Sequence, residues 1–187
     1  MSVCCGSHYN DIKLYDATLQ HYIVNNNIEV VGNITDEARK AIGRELDRFP
    51  KSHKYVNLVV VTNDLKHQGL FKGSVIYIKP LPIDELIDVM RHEITHATTR
   101  TITESDLYEW VEAYAIRLDY IKLEDPPEDK WGSLPNYEGF PTKYSTRNIW
   151  EFICEHVMVY TKDPIAHRRD FPLETALIEK HGLGPSF

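Results

Sequence analysis

The segment His92-Glu93-Ile94-Thr95-His96 carries the residues best placed to do chemistry. Positions four apart on a helix project within about 40° of each other, one turn apart, so the two imidazoles can grip one cation. Zinc suits such a pair, because it takes neutral imidazole nitrogens at about 2.0 to 2.1 Å and tolerates an open fourth position. Glu93 would sit beside the ion rather than on it, within reach of a proton on a bound water. That combination is the zinc-peptidase pattern. Its bland alternative is a pair of exposed histidines on a solvated helix face.

A catalytic zinc needs a third protein ligand, and two further segments offer one. The first is Glu112, or Glu109, in a helix whose Leu107, Val111, Tyr114 and Leu118 stripe leaves both carboxylates on the other side. Solvated helix charges are the ordinary reading of such residues. The second is Glu151, in Asn148-Ile149-Trp150-Glu151-Phe152-Ile153-Cys154-Glu155, where two carboxylates interrupt a strongly apolar run. Buried carboxylates require a partner. Asn148 and Glu151 also have the spacing of a capping box, but a cap accounts neither for Glu155 nor for the nearby Tyr144.

The elements that must position these groups follow from periodicity. Ile83, Leu86, Ile87, Met90, Ile94 and Ala97 repeat at helical spacing from Pro82 to about Thr98, so this stripe should face the core and the two histidines should lie nearly opposite. Upstream, Ile34-Thr35-Asp36-Glu37 opens a helix with a cap and acidic first turn; Ile42, Leu46 and Phe49 continue it, and Pro50 stops it. Tyr55 to Thr62 and Ser74 to Lys79 are rich in β-branched and aromatic residues and read as strands of one sheet. Further helices are expected from Ser105 to about Leu123, from Asn148 to about Thr161, and from Pro172 to Gly182. The stretch from Glu124 to Tyr144 is long for a connection. It is either a plain surface loop or a lid whose Trp131, Tyr137 and Phe140 close over a ligand.

At 187 residues the chain suits one well-buried core. Residues 1–187 are therefore expected to form a single α+β domain, with a mixed α/β part over 1–81 and a helical part over 82–187 that completes the site. The formal net charge of -7, with no basic run beyond Arg168-Arg169, gives no footprint for nucleic acid or anionic lipid. Three cysteines cannot build a disulfide framework, and the adjacent Cys4 and Cys5 would bridge only under strain, which favours a reducing compartment. No segment has the roughly 18 to 20 apolar residues of a membrane span. A soluble protein is expected, either cytoplasmic or secreted after loss of a leader; oligomeric state is not legible.

With these residues in hand, the chain resembles the catalytic domain of anthrax toxin lethal factor and the smaller Pro-Pro endopeptidases, within the gluzincin group of zinc peptidases. There a His-Glu-x-x-His helix is followed by a Tyr, a Glu seven residues later, and a second Glu four after that. Tyr144, Glu151 and Glu155 stand at those intervals, and Asn148 and Phe152 also match. The likeness spans about Ile34 to Pro164, with Thr95 where the family commonly has Gly. It implies a zincin-like fold, a small mixed sheet packed on the metal-binding helix, and one Zn2+ per chain held by His92, His96 and Glu151. Glu93 would be the general base, Tyr144 would steady the oxyanion, and Glu155 would support the site from behind. Trp110 and Glu112-Ala113 also look like other gluzincins, which keeps Glu112 as an alternative third ligand.

A peptide or protein substrate is then expected, lying along an edge strand placed around Gly73 to Lys79. The competing reading is a peptide-binding protein on an inactive scaffold with structural zinc or none. Structural zinc is normally closed by four ligands, usually including Cys, and the chain has no Cys-x-x-Cys.

Overall fold

A computed structural model describes residues 21–24, 28–120 and 139–186. Five short strands, β1 (His21–Val24), β2 (Ile28–Val31), β3 (Leu58–Val61), β4 (Gly69–Lys72) and β5 (Val75–Ile78), form one sheet in the order β1-β2-β3-β5-β4. The three inner strands β2, β3 and β5 run parallel, and the two outer ones pair antiparallel. Helices α1 (Asp36–Arg48), α2 (Ile83–Thr98), α3 (Glu104–Tyr120), α4 (Ile149–Lys162), α5 (Pro164–Asp170) and α6 (Pro172–His181) complete an α+β fold with a largely helical C-terminal half.

The inner strands are apolar at successive positions because both faces of the sheet are covered. Val59, Val61, Ile76 and Ile78 join the main core beneath the helices, while Val60, Tyr77 and Val31 pack with Leu65 on the other side. Continuous β-branched runs are what such strands require. The edge expected around Gly73 to Lys79 is corrected here: Val75–Ile78 lies between β3 and β4, and the edge strand is Gly69–Lys72. Gly73, with φ of 66°, makes the turn between them. Strands β1, β2 and β4 and helix α5 are additional to the elements read from the sequence.

Helix α1 begins as its sequence dictates, with the Thr35 hydroxyl accepting from the Ala38 N–H, and it buries Ile42 and Leu46. Glu45, buried on α1, takes a two-point contact from Arg91 at 2.9 and 3.2 Å, which fixes α2 one residue before His92. Along α2, Leu86, Met90, Ile94 and Ala97 are buried as the stripe requires. His92, Glu93 and Thr95 are buried as well, so the side of the helix away from the stripe is also covered, unlike the solvated face of the bland alternative. The covering elements are α4, which meets His92, and β4, which lies against Glu93. On α3 Trp110 and Ala113 are buried, Leu107, Tyr114 and Leu118 of the expected stripe pack partly buried against the same core, and Val111 turns to solvent; Trp110 meets Phe152 of α4 edge-on.

Gly182, with φ of 58°, ends α6 in the left-handed conformation. One cluster of buried apolar residues runs from Ile28 to Leu183. Phe140, expected on a lid, instead sits in this cluster against Tyr114 and Phe152; Trp131 and Tyr137 lie outside the described residues, as do Cys4 and Cys5. No helix among the described residues is long and apolar enough to cross a membrane.

Candidate metal centre

Two pairs of side chains meet where α2 packs on α4. His92 and His96 come from successive turns of α2, and Glu151 and Glu155 from successive turns of α4. His92 Nε2 lies 3.2 Å from His96 Nε2 and 2.9 Å from Glu151 Oε2, and that oxygen is 3.5 Å from His96 Nε2. Donor atoms around a tetrahedral ion with bonds of about 2.1 Å are about 3.4 Å apart. The triangle therefore has the dimensions of one face of a zinc site.

The surrounding hydrogen bonds orient the donor atoms of that triangle. Glu155 Oε1 is 2.7 Å from His92 Nδ1, and its Oε2 accepts from the Thr142 hydroxyl at 2.6 Å. The His92 Nδ1 side meets Glu155, the arrangement that orients a metal-binding imidazole, and release of the Nε2 proton to an incoming ion would free a lone pair aimed at Glu151. Behind His96, Nδ1 meets Cys154 Sγ at 3.3 Å. Asn148 caps α4 by accepting from the Trp150 and Glu151 N–H groups; the Glu151 side chain turns to the histidines rather than back to the helix start.

Charge at the centre is strongly negative. Burial pushes the His92 pKa down, but hydrogen bonds to Glu151 and Glu155 and the Glu93 charge overcome it, and the imidazolium persists to about 10. For Glu151, burial works upward, yet its contacts with His92 and His96 hold the carboxyl well below the usual range. Three carboxylates facing two imidazoles call for a cation, and the donor set fits zinc.

Glu93 lies near the histidines in the seam between α2 and β4. Burial raises its pKa, the nearby histidines oppose this, and Glu151 adds to it, while the Phe71 backbone N–H donates to the carboxylate. A Cβ at Gly69 would come within 2.6 Å of Glu93 Oε1 and 2.5 Å of Val89 Cγ1, so β4 can approach only as glycine. A glycine inside a strand is the available sequence signal for such an approach. Tyr144, on a 3-10 turn before α4, is 39% exposed. Its hydroxyl is 3.5 Å from Glu151 Oε1 and accepts from Arg147 at 2.7 Å. Burial and the Glu151 charge raise its pKa, so the phenol keeps its proton.

His92, Glu93, His96, Tyr144, Glu151 and Glu155 are thus brought together. Glu112 is not: it is exposed on α3, and no contact with either histidine is found among the described residues. Thr142, Arg147, Cys154, Gly69 and the Phe71 N–H are partners that sequence reasoning did not single out. No protein-family model, no curated protein and no solved structure matches the chain.

Proposed function

We propose that the chain is a zinc-dependent endopeptidase with a zincin-like catalytic core, of the lethal-factor and Pro-Pro endopeptidase type. The observation that carries this is the convergence of His92 Nε2, His96 Nε2 and Glu151 Oε2 within 3.5 Å of one another, with the buried Glu93 alongside. The family likeness itself rests on the spacing of Tyr144, Glu151 and Glu155. His92, His96 and Glu151 would hold a Zn2+ ion, which would supply Lewis acidity to a bound water and to the scissile carbonyl.

The chain's own residues do the rest. Glu93, its basicity raised by burial, takes the proton of the attacking water and returns it to the leaving amine. The protonated Tyr144 hydroxyl donates to the oxyanion that forms on the carbonyl. An extended peptide pairs with the outer edge of β4, the strand that Gly69 lets approach Glu93. Glu155 and Thr142 hold the His92 ring.

The test is zinc content together with cleavage of a peptide library. Glu93→Gln should retain about one zinc per chain and lose about 100- to 10,000-fold in turnover; full activity in that variant sinks the reading. A second reading has one observation in its favour: donor atoms of His92, His96 and Cys154 lie within 4.8 Å of one another, which would make a more closed site on a peptide-binding protein. Against it, burial and three carboxylates push the Cys154 thiol well above its ordinary pKa, and a thiolate is the form that binds metal. Loss of zinc in Cys154→Ser with no cleavage by the parent protein would favour it.

A further inference from the structure

We propose a second divalent-metal site, independent of the first, formed by Asp106 and Glu109 of α3 and His181 at the end of α6, which takes a zinc-class transition-metal ion and pins the C-terminal helix to the first turns of α3.

Donor atoms of the three residues lie within 4.8 Å of one another. Each carboxylate is anchored by one oxygen and offers the other. Asp106 Oδ2 accepts from the Thr103 N–H and hydroxyl, and Oδ1 faces His181. Glu109 Oε1 accepts from Lys180 at 2.5 Å, and Oε2 faces His181. Between them stands an imidazole whose side chain is only 6% exposed, and whose Nε2 is buried without a hydrogen-bond partner. Buried polar nitrogens are normally satisfied, so this one points to something that it is built to hold.

The distance says what. His181 Nε2 is 3.5 Å from Glu109 Oε2, and Nδ1 is 3.6 Å from Asp106 Oδ1. A proton shared between an imidazolium and a carboxylate draws the atoms to about 2.7 to 2.9 Å. Two ligands of one tetrahedral ion sit about 3.4 Å apart, which is close to the separation of Nε2 from Glu109 Oε2; Asp106, which meets the other ring nitrogen, has a carboxylate oxygen within 4.8 Å of the other donors and closes on the ion by side-chain rotation. One imidazole with two carboxylates suits zinc and its neighbours rather than calcium or magnesium, which prefer all-oxygen sets. Asp106 and Glu109 are 30% and 36% exposed, so water can complete the coordination. The Lys180 ammonium competes for Glu109 from the rim, which sets the affinity below that of a dedicated structural site.

The consequence is mechanical. Helix α6 closes the helical half: its buried Glu174 receives Arg117 of α3 at 2.7 and 2.9 Å, and a metal at His181 would tie the same two helices at the other end of α6.

The test is zinc titration of the full chain, stripped of metal with a chelator, against a chromophoric competitor. In a His92→Ala, His96→Ala background, which removes the first centre, one equivalent of Zn2+ should still bind and raise the unfolding midpoint. Adding Glu109→Gln, Asp106→Asn or His181→Ala should weaken it by at least about tenfold, whereas Mg2+ should do nothing. The same substitutions in the otherwise unaltered chain should remove one of two equivalents, which serves if the background variant fails to fold. Zinc binding insensitive to all three substitutions, or none beyond the first centre, overturns the proposal and leaves the peptidase reading untouched.

Discussion

Two buried polar clusters meet α4, and they hold histidine in opposite states. Toward the start of the helix, His92 faces Glu151 and Glu155 and stays protonated to about 10. One turn beyond Glu151, His156 Nδ1 lies 3.0 Å from His167 Nε2, and His167 Nδ1 lies 2.7 Å from the Thr175 hydroxyl. There burial drives both imidazoles down, His167 to about 4, with Glu174 and Asp170 opposing and Arg117 assisting. The residue types and the burial are alike. What differs is charge: the one buried carboxylate beside the second cluster is already matched by Arg117, whereas the first has more carboxylates than cations. Burial of histidine alone therefore says nothing about metal; unmatched acceptors around it do.

The largest expected effect breaks this comparison directly. His92→Ala should weaken zinc binding by more than about 100-fold, beyond the 10- to 100-fold typical of losing a supporting partner. His156→Ala should leave zinc affinity unchanged and lower only the unfolding midpoint. Metal analysis and thermal melts on the two variants decide it; loss of zinc from His156→Ala would mean that the clusters are one system.

The first cluster was legible in the sequence and the second was not, for physical reasons. His92 and His96 share a helix, so a fixed 3.6-residue period places them together without knowledge of the fold. Glu151 and Glu155 obey the same period, and carboxylates inside an apolar run announce a partner. His156 and His167 lie on different helices, and their meeting depends on the Asp163-capped start of α5, whose seven residues are too few to reveal a periodicity. The sheet failed in a similar way: β3 and β5 are apolar on both faces and stand out, whereas β4 opens on a glycine placed there for its neighbour, Glu93. Whether the histidine side of α2 is covered was not legible from the stripe, because amphipathicity names a helix's most apolar side, not what packs on the other.

A smaller loss sharpens the assignment within the first cluster. Tyr144→Phe should lower turnover about 100- to 1,000-fold, as removal of an oxyanion donor does, with zinc content unchanged; an equal loss of zinc would make Tyr144 a prop for Glu151 instead. Smaller again is Thr142→Val, which takes the hydroxyl from Glu155 and should cost about tenfold in zinc affinity. No change would show that Glu155 holds His92 unaided.

The smallest effect belongs to the second cluster and is read without substrate. His167 titrates near 6.5 in the unfolded chain but near 4 when folded, and His156 is shifted in the same direction. Between those values the unfolded state binds more protons, so stability must fall as pH drops from about 6.5 toward 4 and be flat from this source above 6.5. Urea midpoints taken at pH 7, 6, 5 and 4.5 on the zinc-loaded parent and on His167→Gln measure it. The parent should lose stability progressively across that range, and His167→Gln should start lower but change less. Parallel curves for the two proteins would place the proton uptake outside the His156–His167 cluster.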